Sequence, residues 1–132
     1  MIVLDTHVLV WWAGDDRSQL SKAALQAIER ELAGGRVLLS SISAWEVAVL
    51  VRRGRLRLSM ATSQWLSLIA DISAVRWVPV DNQIAVAATD LPGDFHKDPA
   101  DRFIVATARM SGASLVTADG KILNYGHVDC IW

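Results

Sequence analysis

Ile2-Val3-Leu4-Asp5-Thr6 is the stretch that decides the fold. Three consecutive large apolar residues without polar alternation describe a strand covered on both faces, as in a parallel sheet. Its carboxyl end carries an acid and a hydroxyl. Outward from it, strand and helix patterns alternate. A helix over 7–13 carries Trp11 and Trp12, and Gly14-Asp15-Asp16-Arg17 has turn chemistry. Ser21 caps a second helix with Ala24, Leu25, Ile28 and Leu32 at helical spacing, stopped by Gly34-Gly35. A second buried strand is expected over 36–42, then an apolar helix from Ser43 to about Arg53, ended by Gly54.

Thr62 or Ser63 is expected to cap a helix whose stripe is Trp65, Leu66, Leu68, Ile69 and Ile72. Residues 77–80 read as a strand that Pro79 confines to an edge or a terminus. Asp81 caps a helix to about Thr89, and residues 91–97 form a loop. Asp98-Pro99 starts a helix sharply, Asp as cap and Pro at the first position, and Gly112 closes it. A strand over 114–117, a polar turn at Asp119-Gly120, a helical turn at Ile122-Leu123 and a strand over 128–132 complete the chain. The alternation predicts one α/β domain over 1–132, a three-layer α/β/α sandwich with a mostly parallel central sheet.

Composition narrows the function. At 132 residues, 52% hydrophobic and 20% charged, the chain has the balance of a globular protein. Thirteen Lys and Arg against fourteen Asp and Glu leave a net charge of −1, so a nucleic acid would be held by a local patch and not by bulk charge. A single cysteine, Cys130, excludes a disulfide framework and suits a reducing, cytoplasmic compartment. Asp5, Arg52 and Asp71 interrupt the apolar runs nearest to a membrane span, and the start lacks the basic region of a signal peptide.

Ligands of parallel α/β sheets bind at the carboxyl ends of the strands, which singles out Asp5, Glu46, Asp101 and Asp119. Each has a structural explanation. Ser43 and Glu46 match a capping box, Asp98 and Asp101 sit at a helix start, and Asp5 and Asp119 fit strand-end caps or turns. Capping does not, however, require four acids from distant segments to meet at one end of one sheet. Carboxylates gathered there repel and call for a cation. All-oxygen donors favour Mg²⁺ or Mn²⁺, which activates water for attack on phosphorus, so phosphodiester hydrolysis is the natural chemistry.

The order of Asp5-Thr6-His7, Ser43-Ala44-Trp45-Glu46-Val47, the run from His96-Lys97-Asp98-Pro99-Ala100-Asp101-Arg102-Phe103 to Ala108, and Thr117-Ala118-Asp119 resembles the PIN-domain nucleases, in particular the VapC-type toxins. The resemblance spans nearly the whole chain. It implies a PIN-like fold and a Mg²⁺- or Mn²⁺-dependent endoribonuclease of a toxin–antitoxin pair, neutralised by a cognate antitoxin, with the family's acids at Asp5, Glu46, Asp101 and Asp119. Asp98 competes with Asp101 for the metal; as cap and third helical residue respectively, Asp98 is expected to be engaged by backbone N–H groups and Asp101 to reach the site.

Thr6, Ser43 and Thr117 could orient acids or metal waters, or simply satisfy local backbone groups. His7 and His96 could meet a phosphate. Arg52, Arg53, Arg55 and Arg57 form the densest basic run and could hold an RNA backbone with Arg102, or cap a solvated helix end. Trp77 and Trp132 are expected in the sheet core. Trp11, Trp12, Trp45, Val49 and Leu50 are candidates for an apolar antitoxin groove, and the apolar early helices suggest a homodimer. Two competing readings are a metal-dependent phosphohydrolase on small phosphate esters and a non-enzymatic protein-binding module.

Overall fold

The computed structural model describes residues 1–14 and 16–132. Its elements run β1 (Ile2–Leu4), α1 (Thr6–Ala13), a 3-10 turn (Arg17–Gln19), α2 (Lys22–Gly34), β2 (Val37–Ser40), α3 (Ser41–Arg52), α4 (Thr62–Ala70), β3 (Val75–Val78), α5 (Asn82–Ala87), α6 (Pro99–Ser111), β4 (Ser114–Val116), α7 (Gly120–Leu123) and β5 (Cys130–Ile131). The turn expected at 14–17 includes Asp15, which lies outside the described residues. The five strands are ordered β3-β2-β1-β4-β5, and every neighbouring pair is parallel.

Alternation along the strands builds the layers. Ile2 and Leu4 of β1, Val37 and Leu39 of β2, Val75 and Val116 face Val8, Leu9 and Trp12 of α1, Ala24 and Ile28 of α2, Val47 of α3, and Trp65 and Ile69 of α4. Val3, Leu38 and Leu115 face the other way, onto Ile104, Val105 and Ala108 of α6 and Ile122 of α7. The result is the expected sandwich, and its sheet is parallel throughout. β1 is buried at all three positions, as its unbroken apolar run requires.

The strand order creates the site. From β1 the chain crosses to β2 on one side and, later, to β4 on the other, so the connections diverge around β1. Such a switch point opens a crevice at the strands' carboxyl ends. Asp5 follows β1, Asp119 stands three residues beyond β4, and β2 leads directly into α3, which carries Glu46.

Several local expectations need correction. The cap of α3 is Ser40, whose hydroxyl accepts from Ile42 N at 3.2 Å, and not Ser43, which lies inside the helix. No loop separates β2 from α3, so the last strand residue takes the capping role. Thr62 is the first residue of α4 behind Ala61, which gives no side-chain cap. Leu68 and Ile72 lie outside the buried stripe at 51% and 36% exposure. Trp77 is half-buried on the edge strand and Trp132 is exposed, because β3 and β5 flank the sheet and have one neighbour each. The caps at Ser21, Asp81 and Asp98 and the left-handed closure at Gly112, φ 63°, form as expected.

Replacing Ser40 by Ala should lower unfolding free energy by about 1 kcal/mol, the usual worth of an N-cap hydroxyl. Thermal or urea denaturation checks this. An unchanged midpoint would mean that the Ser40 hydroxyl contributes no capping stability to α3.

Candidate active site

Asp5 is held from two sides. Its Oδ1 accepts Thr6 N at 2.8 Å, which caps α1, and its Oδ2 accepts the Thr117 hydroxyl at 2.7 Å. The same Thr117 oxygen accepts Asp119 N at 3.0 Å. One hydroxyl thus ties the acid after β1 to the acid after β4. Asp5 is 6% exposed, and burial pushes its carboxyl above the usual carboxylate range despite the opposing hydrogen bonds from Thr117 and Thr6.

Glu46 is placed by Thr6, whose hydroxyl donates to Oε1 at 2.5 Å. Thr6 Oγ1 also lies 2.8 Å from Ser43 Oγ. Because Thr6 has one hydroxyl proton and gives it to Glu46, Ser43 supplies the proton of that second contact. Ser43 is fully buried, so its role is to anchor this relay and not to cap a helix. Burial also pushes the Glu46 carboxyl up; Thr6 pulls it down, while Asp5 and Asp98 add to the push.

At the start of α6, Asp98 Oδ1 accepts Asp101 N at 3.1 Å, as an N-cap does. Asp101 leans back over the helix end, and its Oδ2 lies 3.0 Å from His96 Nε2. His96 Nδ1 accepts Asp98 N at 3.4 Å, which puts the proton of a neutral ring on Nε2. That nitrogen is buried and is not aligned for a hydrogen bond to any described residue, so its approach to Asp101 is a close polar contact and not a hydrogen bond. Burial first, then the charges of Asp5, Asp98, Asp119 and Glu46, lift the Asp101 carboxyl to about 7.

All five acids line one open cleft of about 420 Å³, with Thr6, His7, Trp11 and Lys121. The sequence points to Asp5, Glu46, Asp101 and Asp119 as one group, and the structure brings the four together. Sequence reasoning misses Lys121, whose one signal is its place two residues beyond the last acid. Arg102 does not face the cleft as a free cation: its Nε donates to Ala88 O at 2.8 Å and its Nη1 to Phe95 O and His96 O at 3.0 and 3.2 Å. It braces the loop that carries His96. Arg52, Arg53, Arg55 and Arg57 are exposed and line no part of the acid cleft. Trp12 is 5% exposed and packs in the core, which removes it from any groove, whereas Trp45 is 61% exposed.

Among the described residues, no three His, Cys, Asp or Glu side chains are arranged to grip one ion directly. The donors are nonetheless hard oxygens from separate segments. That set suits a hydrated Mg²⁺-like ion, which keeps several waters and takes one or two carboxylates, and it does not suit zinc, which is usually closed by nitrogen and sulfur. Among the same residues no helix is long and apolar enough to cross a membrane.

The PIN-domain family profile matches residues 2–128. Ribonuclease VapC22 of Mycobacterium tuberculosis (strain ATCC 25618 / H37Rv) is 37% identical over 126 residues, 96% of this chain and 92% of that protein. Among solved structures, VapBC2 from Rickettsia felis, bound to a DNA fragment from its promoter, superposes with a TM-score of 0.68 at 19% identity over 98% of this chain and 97% of that one. VapC20 of Mycobacterium tuberculosis, described as a sarcin-ricin loop cleaving toxin, superposes with a TM-score of 0.65 at 20% identity over 98% of both chains. At these identities the superpositions show the fold.

The crowding has a measurable signature. In the unfolded chain Asp101 releases its proton near the ordinary 3.8 of an aspartate, and in the folded metal-free chain at about 7. The folded state therefore binds more protons between those values. Stability should fall as pH rises through that window and level off above it. Melting temperatures of metal-free protein across the window should show the slope, and Asp101→Asn should reduce it, leaving the part that Asp5 and Glu46, also raised by burial, contribute. A slope unchanged in Asp101→Asn would assign the excess proton to those two acids.

Proposed function

We propose a function for this chain from one premise: it belongs to the PIN-domain family. The chain is a metal-dependent endoribonuclease toxin that hydrolyses RNA phosphodiester bonds and is neutralised by a cognate antitoxin in the cytoplasm. The observation that carries this reading is the convergence of acids from four distant segments on one cleft, with Asp101 lifted to about 7 by burial and by its neighbours. A binding module gains nothing from such repulsion. An enzyme that takes Mg²⁺ or Mn²⁺ does.

Asp5, Glu46, Asp101 and Asp119 would hold the hydrated ion, one or two of them directly and the others through its waters, with Asp98 engaged as a cap at the rim. When bound, the ion lowers the pKa of a water and polarises the phosphate. The chain's own groups do the rest. Thr117 and Thr6 fix the oxygens of Asp5 and Glu46 that they touch, leaving each carboxylate lone pairs directed elsewhere. His7 and Lys121, exposed at the mouth, offer N–H donors to phosphate oxygens. A small-ester phosphohydrolase is disfavoured because Asp5 is followed by Thr6 and His7, without the second Asp of aspartyl-phosphate enzymes.

A protein partner also has a surface. Trp45 stands exposed with Ile42, Pro99 and Ala100 around a pocket that Glu46 and Asp98 also line. An apolar patch beside an active site suits a homodimer contact or an antitoxin that covers the acids.

Mg²⁺ or Mn²⁺ at millimolar concentration should raise the melting temperature, since the ion binds only the folded cleft. Asp5→Asn and Asp101→Asn should lose RNA cleavage while melting no lower than the parent without metal. Asp98→Asn should keep much of the activity, and Asp98→Ala should cost about 1 kcal/mol of stability. Thr117→Val should cost about 10–100-fold in metal affinity or cleavage. Cleavage undiminished by EDTA, or an active Asp101→Asn beside an inactive, fully folded Asp98→Asn, would contradict these assignments.

A further inference from the structure

The cleft does not end at the acids. His7 and Trp11, which line it, also line a second groove of about 510 Å³ that runs over Leu50 and Trp65 to Arg55 and Arg57. The local sequence explains the shape. Gly54, at φ 71°, ends α3 and turns the chain into Arg55-Leu56-Arg57-Leu58. In an extended segment alternate side chains face opposite ways. Leu56 and Leu58 are accordingly half-buried against the main core cluster, while both arginines are exposed. Neither arginine enters an ion pair or a side-chain hydrogen bond with a described residue, in contrast to Arg102, which is spent on backbone carbonyls. From residue 47 to residue 70 the chain has four Arg, no Lys and no acid, within a protein whose net charge is −1. Asp16 also lines the groove, and its carboxylate is taken by Ser18 and Gln19. Trp11 is half-buried, with its ring tilted against His7 at 5.9 Å and against Trp132 at 6.1 Å, which leaves a fixed aromatic wall at the junction of the two cavities.

We propose that this groove carries the single-stranded RNA that flanks the scissile phosphate, with Arg55 and Arg57 on its phosphates and Trp11 against a base. The inference rests on the ribonuclease reading and adds the path of the substrate. A strand that presents one phosphodiester to the acids has to leave the cleft on some side. On the side of Arg55 and Arg57 it meets two guanidiniums against the single carboxylate of Asp16, in place of the five acids of the cleft. Guanidinium contacts position the backbone without reading sequence, and an aromatic face accepts any base. An acidic protein segment would also complement the arginines, but it has no reason to continue past Trp11 into a cleft of like charge.

The test measures binding apart from cleavage. Asp5→Asn protein, with Mg²⁺ present, is titrated into a labelled single-stranded RNA of about 12 nucleotides by fluorescence anisotropy at several salt concentrations. Adding Arg55→Glu and Arg57→Glu should weaken binding about tenfold or more and flatten the plot of log affinity against log salt by about 0.7 for each phosphate that is no longer neutralised. The Arg55→Gln and Arg57→Gln pair should fall between, and Arg36→Glu, before the amino end of β2, should change neither quantity. On the Asp5→Asn background the cleavage rate is silent, so the same arginine changes in the parent should raise KM for RNA with kcat nearly kept. Parent-like affinity and salt slope in folded charge-reversal protein would overturn the proposal. So would retained RNA binding accompanied by loss of binding to an antitoxin, which would assign the groove to a protein. Failure of the parent chain itself to bind or cleave RNA would instead strike the ribonuclease reading, and the two failures are thereby told apart.

Discussion

The burial of neighbouring carboxylates at the carboxyl ends of β1, β2 and β4 is the constraint around which the cleft is organised. Loss of water first, and like charge after it, disfavour the ionised forms of Asp5, Glu46 and Asp101, so the scaffold has to hold them in place. It does so with hydroxyls. Thr117 bonds both Asp5 and the backbone of Asp119, and Thr6 donates its proton to Glu46 while resting on buried Ser43. The core beneath is apolar and buried, with Leu4, Leu39 and Val116 at 0% exposure directly before Asp5, Ser40 and Thr117.

Capping a helix and lining the cleft do not exclude each other for these acids. Asp5, Asp98 and Asp119 each accept a backbone N–H at a helix start, and each lines the cleft. In a parallel α/β fold the helices that follow strands begin at the strands' carboxyl ends, so N-caps and ligand-binding positions fall in the same place. A carboxylate there is already partly held by N–H dipoles, which lowers the cost of collecting several of them.

The apolar strands, the Asp98-Pro99 start and the acid positions were legible from residue patterns because each is local. Ile2-Val3-Leu4 has no reading as a half-exposed strand, and an Asp before a Pro has few roles other than opening a helix. What the pattern hid was relational. Ser40 against Ser43 as the cap of α3 depended on β2 meeting the helix without a loop, which shifted the start by a turn's fraction and turned Ser43 inward. Arg102 looked like a phosphate ligand because it stands beside Asp101; only the fold of the loop before α6 shows the carbonyls that consume it. Trp77 and Trp132 read as core from their strands, yet strand order places both on the flanks. Lys121 carried too little signal as a single lysine after a turn.

The pairing of β1 with β4 sets a clock on biosynthesis. Ile2 lies beside Ser114, and Asp5 gains its Thr117 bond only when the segment after β4 is in place. Most of the chain must therefore leave the ribosome before the two ends of the cleft can meet. At about 5–20 residues per second that takes several seconds or more. Long-range parallel pairing further slows assembly, because loop closure precedes the contacts that reward it. A nascent chain thus emerges with Asp5 and Glu46 apart from Asp101 and Asp119, and the complete cleft forms only after the segment beyond β4 has been made.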